Sequence, residues 1–483
     1  MKKLSLAVIL FCVGLLASGC RGETLPNDEI NGEITVSCYD LSMSQSFLEE
    51  AARQFEQKYP GTKVNITSFS AMPEVKNSEQ DGEQIQAVIQ EDDPQGRTDY
   101  ISKTSTSLMS GQGADLLAMD VLPVYKYVES GQLENLKEYL DQDMDFNSSD
   151  YQDNILNTLE FQNGIWFLPL DYSFEYFAYD SSLANGQQAA KFGLTQAFTS
   201  TQMIEAGKST FNGTHKLFPG PAYLQSGNGD LFSQLFKEHY RSFVDMESKT
   251  ANFNDRTFKE LINNIKNLAD DGYISQGIGQ ADSSALLNSA AADPTERFWF
   301  KPKNQFSLVS QTYPDSDFRM SISTTDVGSG IEEDDQIAGI CAEEAGIIPF
   351  SYEQAFGINA NSRNKQTAWA FLKFLLSYEI QASPNMSLLS LPLHNQARED
   401  RAENLYRLLL TEGNDLDESQ KQALNGYLNG VEALSDQING YTFRDTTIQD
   451  MVIKEMEYFF DGTKSADQVC QVLQNKVELY LNE

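Results

Sequence analysis

Short apolar runs and helically spaced apolar residues alternate near the start of the chain. The β-rich run at 34–39 predicts a strand, and the run at 64–69 predicts another. Between them, apolar residues recur at the spacing of one helix face: Leu48, Ala51, Ala52, Phe55 and Tyr59. Pro60-Gly61 ends that helix. A strand, a helix and a strand at these distances predict a βαβ unit, whose two strands lie parallel in one sheet.

Later segments repeat both kinds of pattern. Apolar runs predict further strands at 114–119, 165–168, 174–179 and 356–359. Amphipathic spacing predicts one helix at 257–268 and another that is capped by Asn361 or Ser362 and runs to Leu376. From 395 to 483 the pattern is nearly all helical. Alternating strands and helices followed by helices alone predict an α/β fold with a helical C-terminal portion.

The first twenty residues have the pattern of a secretion signal. Two lysines precede an apolar run at 4–16, which is shorter than the roughly 20 residues that cross a bilayer. Small residues then lead to Cys20, and this end resembles the bacterial lipobox, with Ala17 where Leu is usual. We therefore predict a lipoprotein signal peptide at 1–19, a lipidated Cys20 and a polar tether at 20–32. The alternative is an ordinary signal peptide followed by a chance cysteine.

Size and charge narrow the classes of partner. The chain has 483 residues, of which 40% are hydrophobic, and this is enough to form two or more packed domains. Asp and Glu number 70 against 35 Lys and Arg, so the formal net charge is −35. A surface that binds the phosphate backbone of nucleic acid needs clustered basic residues, so a nucleic-acid partner is not expected.

The sequence gives little support for metal, cofactor or catalytic chemistry. Metal-ligand spacing is absent from the three histidines, His215, His239 and His394. After signal removal and lipidation, three cysteines remain, and we expect buried thiols, with a single disulfide as the alternative: Cys38, Cys341 and Cys470. No nucleophile or phosphate-loop motif occurs. We expect no metal, no cofactor and no catalytic residue.

Six segments, in order and behind the lipobox, resemble the extracellular solute-binding proteins of ABC importers. The similarity is to the carbohydrate-type family that includes maltose-binding protein. The segments are 47–66, 108–120, 163–180, 253–274, 356–381 and 458–483. In the second segment, Ala114 stands where that family usually has Pro, and the family's Gly-plus-Trp segment near Trp299 is not recognisable.

The resemblance implies a two-lobe periplasmic-binding-protein-like fold, in which a hinge joins two α/β lobes and a ligand binds in the cleft between them. Projecting the family's crossings places lobe one at 33–170 and 341–380. Lobe two is expected at 175–340 and 385–483. Sheets of this class bind ligands beyond the carboxyl ends of their strands, so the candidate site residues are sought there.

Sugars present hydroxyls and faces of C–H bonds, so a sugar site needs carboxylates, amides and aromatic rings. The candidates are Tyr39, Asp40, Asp120, Asp171, Tyr172, Tyr223, Gln225 and Trp299. Several have an alternative role. Asp40 could cap a helix, Asp120 could be a solvated strand-end acid, and Asp171 could accept a hydrogen bond from the hinge backbone. Tyr223 and Gln225 could lie in a surface loop.

The resemblance implies a lipid-anchored substrate-binding component of an ABC importer, on the outer face of the cell membrane. It would capture a sugar or oligosaccharide, deliver it to permease subunits, act as a monomer and catalyse no reaction. Three alternatives stay open. They are a surface enzyme that acts on glycans, a sensory or scaffold lipoprotein, and a binding protein for a solute that is not a sugar.

Overall fold

The computed structural model describes most of the chain between residues 30 and 483. Described in full are 30–40, 45–70, 93–213, 215–218, 231–274, 336–383, 390–400, 429–430 and 432–483. The backbone alone is described for the strands at 74–80, 83–89, 297–298 and 300–304 and for residue 335. The predicted signal peptide, the predicted lipidation site at Cys20 and most of the predicted tether lie outside these residues.

The described helices and strands alternate along the first two thirds of the chain. The helices are α1 (Gln45–Lys58), α2 (Pro94–Met109), α3 (Val124–Glu129), α4 (Leu136–Gln142), α5 (Asp153–Leu156), α6 (Gly186–Ala189), α7 (Ser200–Lys208), α8 (Leu231–Phe243), α9 (Arg256–Asp270), α10 (Lys365–Leu376), α11 (Tyr378–Gln381), α12 (Thr446–Phe460) and α13 (Ala466–Asn482). The strands are β1 (Gly32–Cys38), β2 (Thr62–Ser68), β3 (Glu74–Gln80), β4 (Glu83–Ile89), β5 (Leu116–Ala118), β6 (Leu168–Pro169), β7 (Asp171–Tyr172), β8 (Glu175–Asp180), β9 (Ala197–Phe198), β10 (His215–Lys216), β11 (Val244–Asp245), β12 (Thr250–Ala251), β13 (Arg297–Phe298), β14 (Phe300–Asn304), β15 (Asp335–Cys341), β16 (Ala355–Ile358) and β17 (Leu391–Pro392).

The first sheet has the strand order β2-β1-β5-β16-β6. Strands β1 and β2 pair in parallel from Gly32 opposite Thr62 to Cys38 opposite Ser68, and β5 is parallel to β1. The predicted βαβ unit is therefore confirmed. Helix α1 buries the apolar face that the sequence predicts, including Leu48 and Phe55, because these side chains recur on one side of the helix.

A second sheet has the order β14-β8-β15-β9, with β8 antiparallel to both of its neighbours. The predicted strand at 174–179 corresponds to β8. The predicted strand at 165–168 was wrong in extent, since only the two residues of β6 pair in the sheet. Before β6 the chain is held by loop contacts instead: the Ile165 backbone N–H donates to the Asn135 side chain, and the Trp166 indole donates to the Phe161 carbonyl.

Buried apolar residues form two separate clusters, and each cluster is the core of one lobe. The first contains Val36, Leu117 and Trp369, and the second contains Phe236, Ile262 and Leu473, among many others. The two-lobe α/β fold predicted from the sequence is confirmed. Three described residues near the C-terminus also pack in the first cluster: Leu393, Leu434 and Ile438. The lobe boundaries stay predictions.

Three segments cross between the lobes, and we call them together the hinge: 172–175, 341–352 and 438–445. Each links a residue of the first cluster to a residue of the second: Tyr172 to Phe177, Phe350 to Cys341, and Ile438 to Ile448. Ser173 and Ser351 exchange backbone hydrogen bonds of 2.7 and 2.8 Å. Ile348 donates its backbone N–H to the Asn439 side chain at 2.8 Å and accepts from the Asn439 backbone at 3.1 Å. The crossings therefore form one hydrogen-bonded unit.

The C-terminal portion is helical in α12 and α13, as predicted, but 441–445 is not helical. Asp445 caps α12 by accepting hydrogen bonds from the backbone N–H groups of Thr447 and Ile448. Its other carboxylate oxygen accepts from the Tyr480 hydroxyl at 3.0 Å, which ties α13 to the start of α12.

No helix among the described residues has both the length and the apolar sequence that crossing a membrane requires. The three predicted thiols are buried and free: Cys38, Cys341 and Cys470.

Candidate binding cleft

A cavity of about 190 Å³ lies between the two lobes, against the hinge. The first lobe supplies Met119, Asp120, Leu122, Pro123, Val124 and Tyr125. The hinge supplies Phe350, Ser351, Tyr352, Tyr441, Thr442, Phe443, Arg444 and Asp445. The second lobe supplies Lys237, Met246, Thr446 and Gln449. The first-lobe residues directly follow β5, so the cavity lies beyond the carboxyl end of a strand that runs parallel to β1.

Aromatic rings line the hinge side of the cavity, and we call Tyr352, Tyr441 and Phe443 the aromatic floor. The Tyr352 and Tyr441 rings are stacked, with centroids 5.8 Å apart, and Phe443 lies edge-on to Tyr441 at 4.8 Å. The Tyr441 hydroxyl donates to the Tyr352 hydroxyl at 3.2 Å, which in turn donates to the Met119 carbonyl at 3.3 Å. These contacts fix the rings, so the floor can offer flat apolar faces to a ligand.

Asp120 places a carboxylate at the first-lobe side of the cavity, two residues beyond β5. Its side chain is exposed to the water of the cleft, but the surrounding walls of the cleft reduce its hydration. This surrounding protein desolvates the charged form and raises the pKa of Asp120 to about 6, and the nearby acids Asp40 and Glu353 add to the rise. At neutral pH the carboxylate is ionised and can accept hydrogen bonds from hydroxyl groups.

Two cations line the cavity opposite Asp120, Lys237 from the second lobe and Arg444 from the hinge, and each is paired with a glutamate behind it. The Lys237 ammonium lies 3.5 Å from a Glu175 carboxylate oxygen. The Arg444 guanidinium pairs with Glu343, whose other carboxylate oxygen accepts from the Thr442 hydroxyl at 2.8 Å. Burial alone would raise the pKa of Glu175, but Lys237 and the hydrogen bond from Gln234 lower it below its usual value.

Contacts beside the cavity join the lobes directly. Arg97 on α2 makes a bidentate ion pair with Asp450 on α12, with N–O distances of 2.8 and 3.4 Å. Lys126 on α3 donates to the Tyr480 carbonyl of α13 at 2.5 Å and lies 3.6 Å from the centre of the Tyr480 ring. A further pair, at 2.8 Å, joins Glu129 of α3 to Lys249 in the turn between β11 and β12.

Asp120 is the predicted site residue that lines this cavity. Asp40 follows β1 and lies near enough to raise the pKa of Asp120. Tyr39 is buried, stacks on Phe69 with centroids 6.4 Å apart, and donates its hydroxyl to the Asp93 carbonyl at 3.2 Å. The ligand roles of these residues stay predictions.

Asp171 and Tyr172 lie in or beside the hinge and are fully buried. Asp171 accepts a hydrogen bond of 2.7 Å from the Glu353 backbone N–H, which is the alternative role that the sequence left open. The Tyr172 hydroxyl accepts from Arg398 at 3.0 Å. Neither residue lines the cavity, and a contact with ligand stays a prediction for both. The predicted candidates Tyr223, Gln225 and Trp299 lie outside the described residues.

Sequence reasoning missed the aromatic floor and both cations. Residues 441–445 lie in a region whose overall pattern predicts helix, yet Tyr441 and Phe443 are separated by one polar residue, which is typical of an extended segment. That alternation was an available signal. No comparable sequence signal marked Lys237 and Arg444, because a charged residue on a helix or next to one usually faces solvent. No group of His, Cys, Asp and Glu suited to a metal ion occurs in the described part of the chain.

Comparison with known proteins agrees with this architecture. A sequence model of the family described as bacterial extracellular solute-binding protein matches residues 41–382. An ABC substrate-binding protein of Listeria monocytogenes, solved with cycloalternan, is 14% identical, with 94% of this chain and 99% of that chain covered and a TM-score of 0.52. The sugar-binding protein MalE of Xanthomonas citri is also 14% identical, with 93% and 98% covered and a TM-score of 0.54.

A third similar structure is the maltose/maltodextrin-binding domain MalE of Bdellovibrio bacteriovorus, solved with maltotriose. It is 14% identical, with 94% of this chain and 100% of that chain covered and a TM-score of 0.51. No curated protein matched the chain. At this identity the structures establish a shared fold over nearly the whole chain.

Proposed function

The chain belongs to the bacterial extracellular solute-binding protein family, and on that premise we propose that it is the lipid-anchored substrate-binding component of an ABC importer. It captures a sugar or oligosaccharide between its two lobes and delivers it to a permease. The observation that carries this proposal is the cavity between the lobes, which combines an aromatic floor with polar side chains from both lobes.

Each part of the cavity has a role in holding a sugar. The rings of Tyr352, Tyr441 and Phe443 pack against C–H faces, and the Asp120 carboxylate accepts hydrogen bonds from ring hydroxyls. Lys237 and Arg444 donate hydrogen bonds to hydroxyl and ring oxygens from the opposite side. A ligand that contacts both lobes stabilises the closed arrangement, because it interacts with both sides only when they approach.

The remaining parts of the proposal concern the surroundings of the protein. Cys20 carries the lipid that holds the monomer on the outer face of the cell membrane, after removal of 1–19, and 20–32 forms the tether. The proposed first lobe comprises 33–170 with 341–380 and the part of the C-terminal region around Leu393, Leu434 and Ile438, and the proposed second lobe comprises 175–340 with the rest of 385–483. The closed form is the one that the permease binds, and the sugar passes on unchanged. The related structures solved with cycloalternan and maltotriose support a saccharide ligand.

A thermal-melting screen of the purified full chain in detergent tests the proposal. The screen compares mono- and oligosaccharides, amino acids, polyamines and short peptides. A ligand that binds only the folded protein stabilises it by about 2.7 kcal/mol at a hundredfold excess over Kd. We expect one sugar class to raise the melting temperature, and chromatography to recover that sugar intact.

Two results would contradict the proposal. Stabilisation by amino acids, polyamines or peptides with no response to any sugar would assign a different solute. Recovery of a cleaved sugar would instead indicate a glycan-acting enzyme, because a binding protein releases its ligand unchanged.

A further inference from the structure

Lys237 and Arg444 stand between two cavities. Both line the cavity of about 190 Å³ between the lobes, and both also line a smaller cavity of about 60 Å³ behind it, which we call the rear chamber. The rear chamber is also lined by Glu175, Glu238 and Glu343. The two cations therefore form a wall, with the ligand cavity on one side and carboxyl groups on the other.

Two of these carboxyl groups are the ion-pair partners of the wall. Glu343 is only 3% exposed and holds Arg444, which also donates to the Lys237 backbone carbonyl at 3.5 Å. Glu175 holds Lys237 at 3.5 Å, and Lys237 together with Arg444 keeps the pKa of Glu175 low despite its burial. Arg241, half-exposed, approaches Glu343 from the solvent side at 3.8 Å. Each cation of the wall thus has a glutamate partner on its far side.

Glu238, the third carboxyl group, does not disturb this balance at neutral pH. It is 5% exposed and accepts hydrogen bonds from Ser200 and Gln234. Burial raises the pKa of Glu238 to about 8, so most of the group is protonated and uncharged at neutral pH. The wall and the rear chamber together therefore hold two cations and two carboxylates.

We propose that Glu175 and Glu343 determine ligand specificity by neutralising Lys237 and Arg444 from behind, so that the cavity accepts an uncharged, hydroxyl-rich ligand and discriminates against an anionic one. The inference rests on the proposed function and names the charge class of its sugar. Without internal partners, two cations in a cleft would favour a ligand that brings its own carboxylate or sulfate. With the two glutamates in place, the cations act as hydrogen-bond donors. An anionic ligand is then repelled by the carboxylates of Glu175, Glu343 and Asp120.

The test removes one internal carboxylate at a time and asks whether the cavity gains affinity for anions. Glu343→Gln and Glu175→Gln each remove a charge and keep the side-chain size. Glu175→Gln changes the more exposed of the two ion pairs, and this variant alone tests the inference if Glu343→Gln fails to fold. Glu344→Gln is the matched control, because this neighbour of Glu343 is exposed and its carboxylate lies 3.5 Å from His239, outside the pairs that hold Lys237 and Arg444.

Two probes are used on each full-length variant. The first is sodium sulfate, with melting compared against sodium chloride of equal ionic strength. The second is a pair of trisaccharides, neutral maltotriose and anionic trigalacturonate, titrated by calorimetry. Sulfate stabilises any folded protein more than chloride does, so we expect a larger sulfate-dependent rise in melting temperature for Glu343→Gln and Glu175→Gln than for wild type and Glu344→Gln. Their ratio of trigalacturonate to maltotriose affinity should rise about tenfold over wild type, since one cation in the cleft has lost its counter-ion.

The inference is overturned if folded Glu343→Gln and Glu175→Gln respond to sulfate as wild type and Glu344→Gln do. It is also overturned if wild type itself prefers trigalacturonate to maltotriose. A wild type that binds no sugar in the screen defeats the proposed function instead, and the sulfate comparison then decides the charge balance of the wall by itself.

Discussion

Single carboxyl groups in and behind the cleft differ in protonation because their surroundings differ. Asp120 lies at the end of a strand among other acids, and its pKa is raised to about 6. Glu238 is buried behind the wall of cations, and its pKa is raised to about 8. Glu175 is close enough to Glu238 to add to that rise, but the facing Lys237 lowers the pKa of Glu175 itself. Desolvation and neighbouring charges therefore give chemically identical groups different roles.

Asp120→Asn is expected to weaken binding of the sugar identified by the melting screen about tenfold, because an amide makes a weaker acceptor than a carboxylate. Wild-type affinity should rise between about pH 5 and about pH 7, as the carboxylate with a pKa of about 6 ionises. Calorimetric titration across this range measures both effects. A variant that keeps the wild-type pH profile would show that Asp120 does not contact the sugar.

Glu238→Gln is expected to change how stability depends on pH. The pKa of Glu238 is about 8 in the folded chain against an ordinary value of 4.5, so its contribution is fully present below about pH 4.5 and is lost as pH rises through about 8. Between these limits wild type should lose about 5 kcal/mol of unfolding free energy relative to the variant, at about 1.4 kcal/mol for each pKa unit. Denaturant unfolding at several pH values measures this, with Glu344→Gln as control. Parallel curves for wild type and Glu238→Gln would mean that Glu238 titrates normally.

At the scale of elements, helices of one lobe contact helices and turns of the other next to the cavity. Arg97 of α2 and Asp450 of α12 are only 14% and 24% exposed, so their ion pair is better shielded from salt than a surface pair. Helix α3 adds two more contacts through Lys126 and Glu129. These contacts can exist only while the lobes are close together, so we expect them to favour the closed arrangement.

Asp450→Asn is expected to weaken sugar binding about fivefold, or roughly 1 kcal/mol, because closing then forms one ion pair fewer. The effect should become smaller in molar salt. The matched control is Glu260→Gln, which breaks the exposed pair with Arg256 inside α9 and should leave affinity unchanged. Tighter sugar binding by Asp450→Asn would show that this ion pair disfavours the closed arrangement.

At the scale of the whole molecule, two separate cores are joined by three hydrogen-bonded crossings. Each core can move as a rigid unit, because close-packed interiors resist deformation, while the hinge backbone takes up small rotations. The cavity lies against this hinge, so a ligand there contacts both rigid units and the segments that join them.

Spin labels on Met109→Cys in α2 and Leu479→Cys in α13 would report this motion. Both positions are exposed, at 79% and 64%, whereas three of the native cysteines are buried: Cys38, Cys341 and Cys470. We expect the sugar to narrow a broad distance distribution to one population, since it selects the closed arrangement. An Asp120→Asn background should need more sugar for the same change. A distribution that the sugar leaves unaltered would show that the lobes do not move.

Part of the fold could be predicted from local pattern, and part could not. The periodicity over 45–58, 256–270 and 365–376 is strong, and each predicted helix is present in the structure. Helices α2 and α8 were not predicted. The first has a mixed, largely polar sequence without a clear apolar stripe. The second does have one, formed by Leu231, Phe232, Leu235, Phe236 and Phe243, so its spacing was a signal that the sequence reasoning missed.

The sequence by itself determined the α/β class, the order of segments that implies two lobes, and the position of Asp120 at the end of a strand. The α/β class and the position of Asp120 depend on neighbouring residues, whose spacing sets local structure, whereas the two lobes are implied by the resemblance of the ordered segments to a known family. Only the tertiary structure decided that Tyr352 and Tyr441 share one floor and that Glu343 faces Arg444. These partners are about ninety to a hundred residues apart, and they meet because the crossings pair across the hinge. Local periodicity holds no information about such pairing.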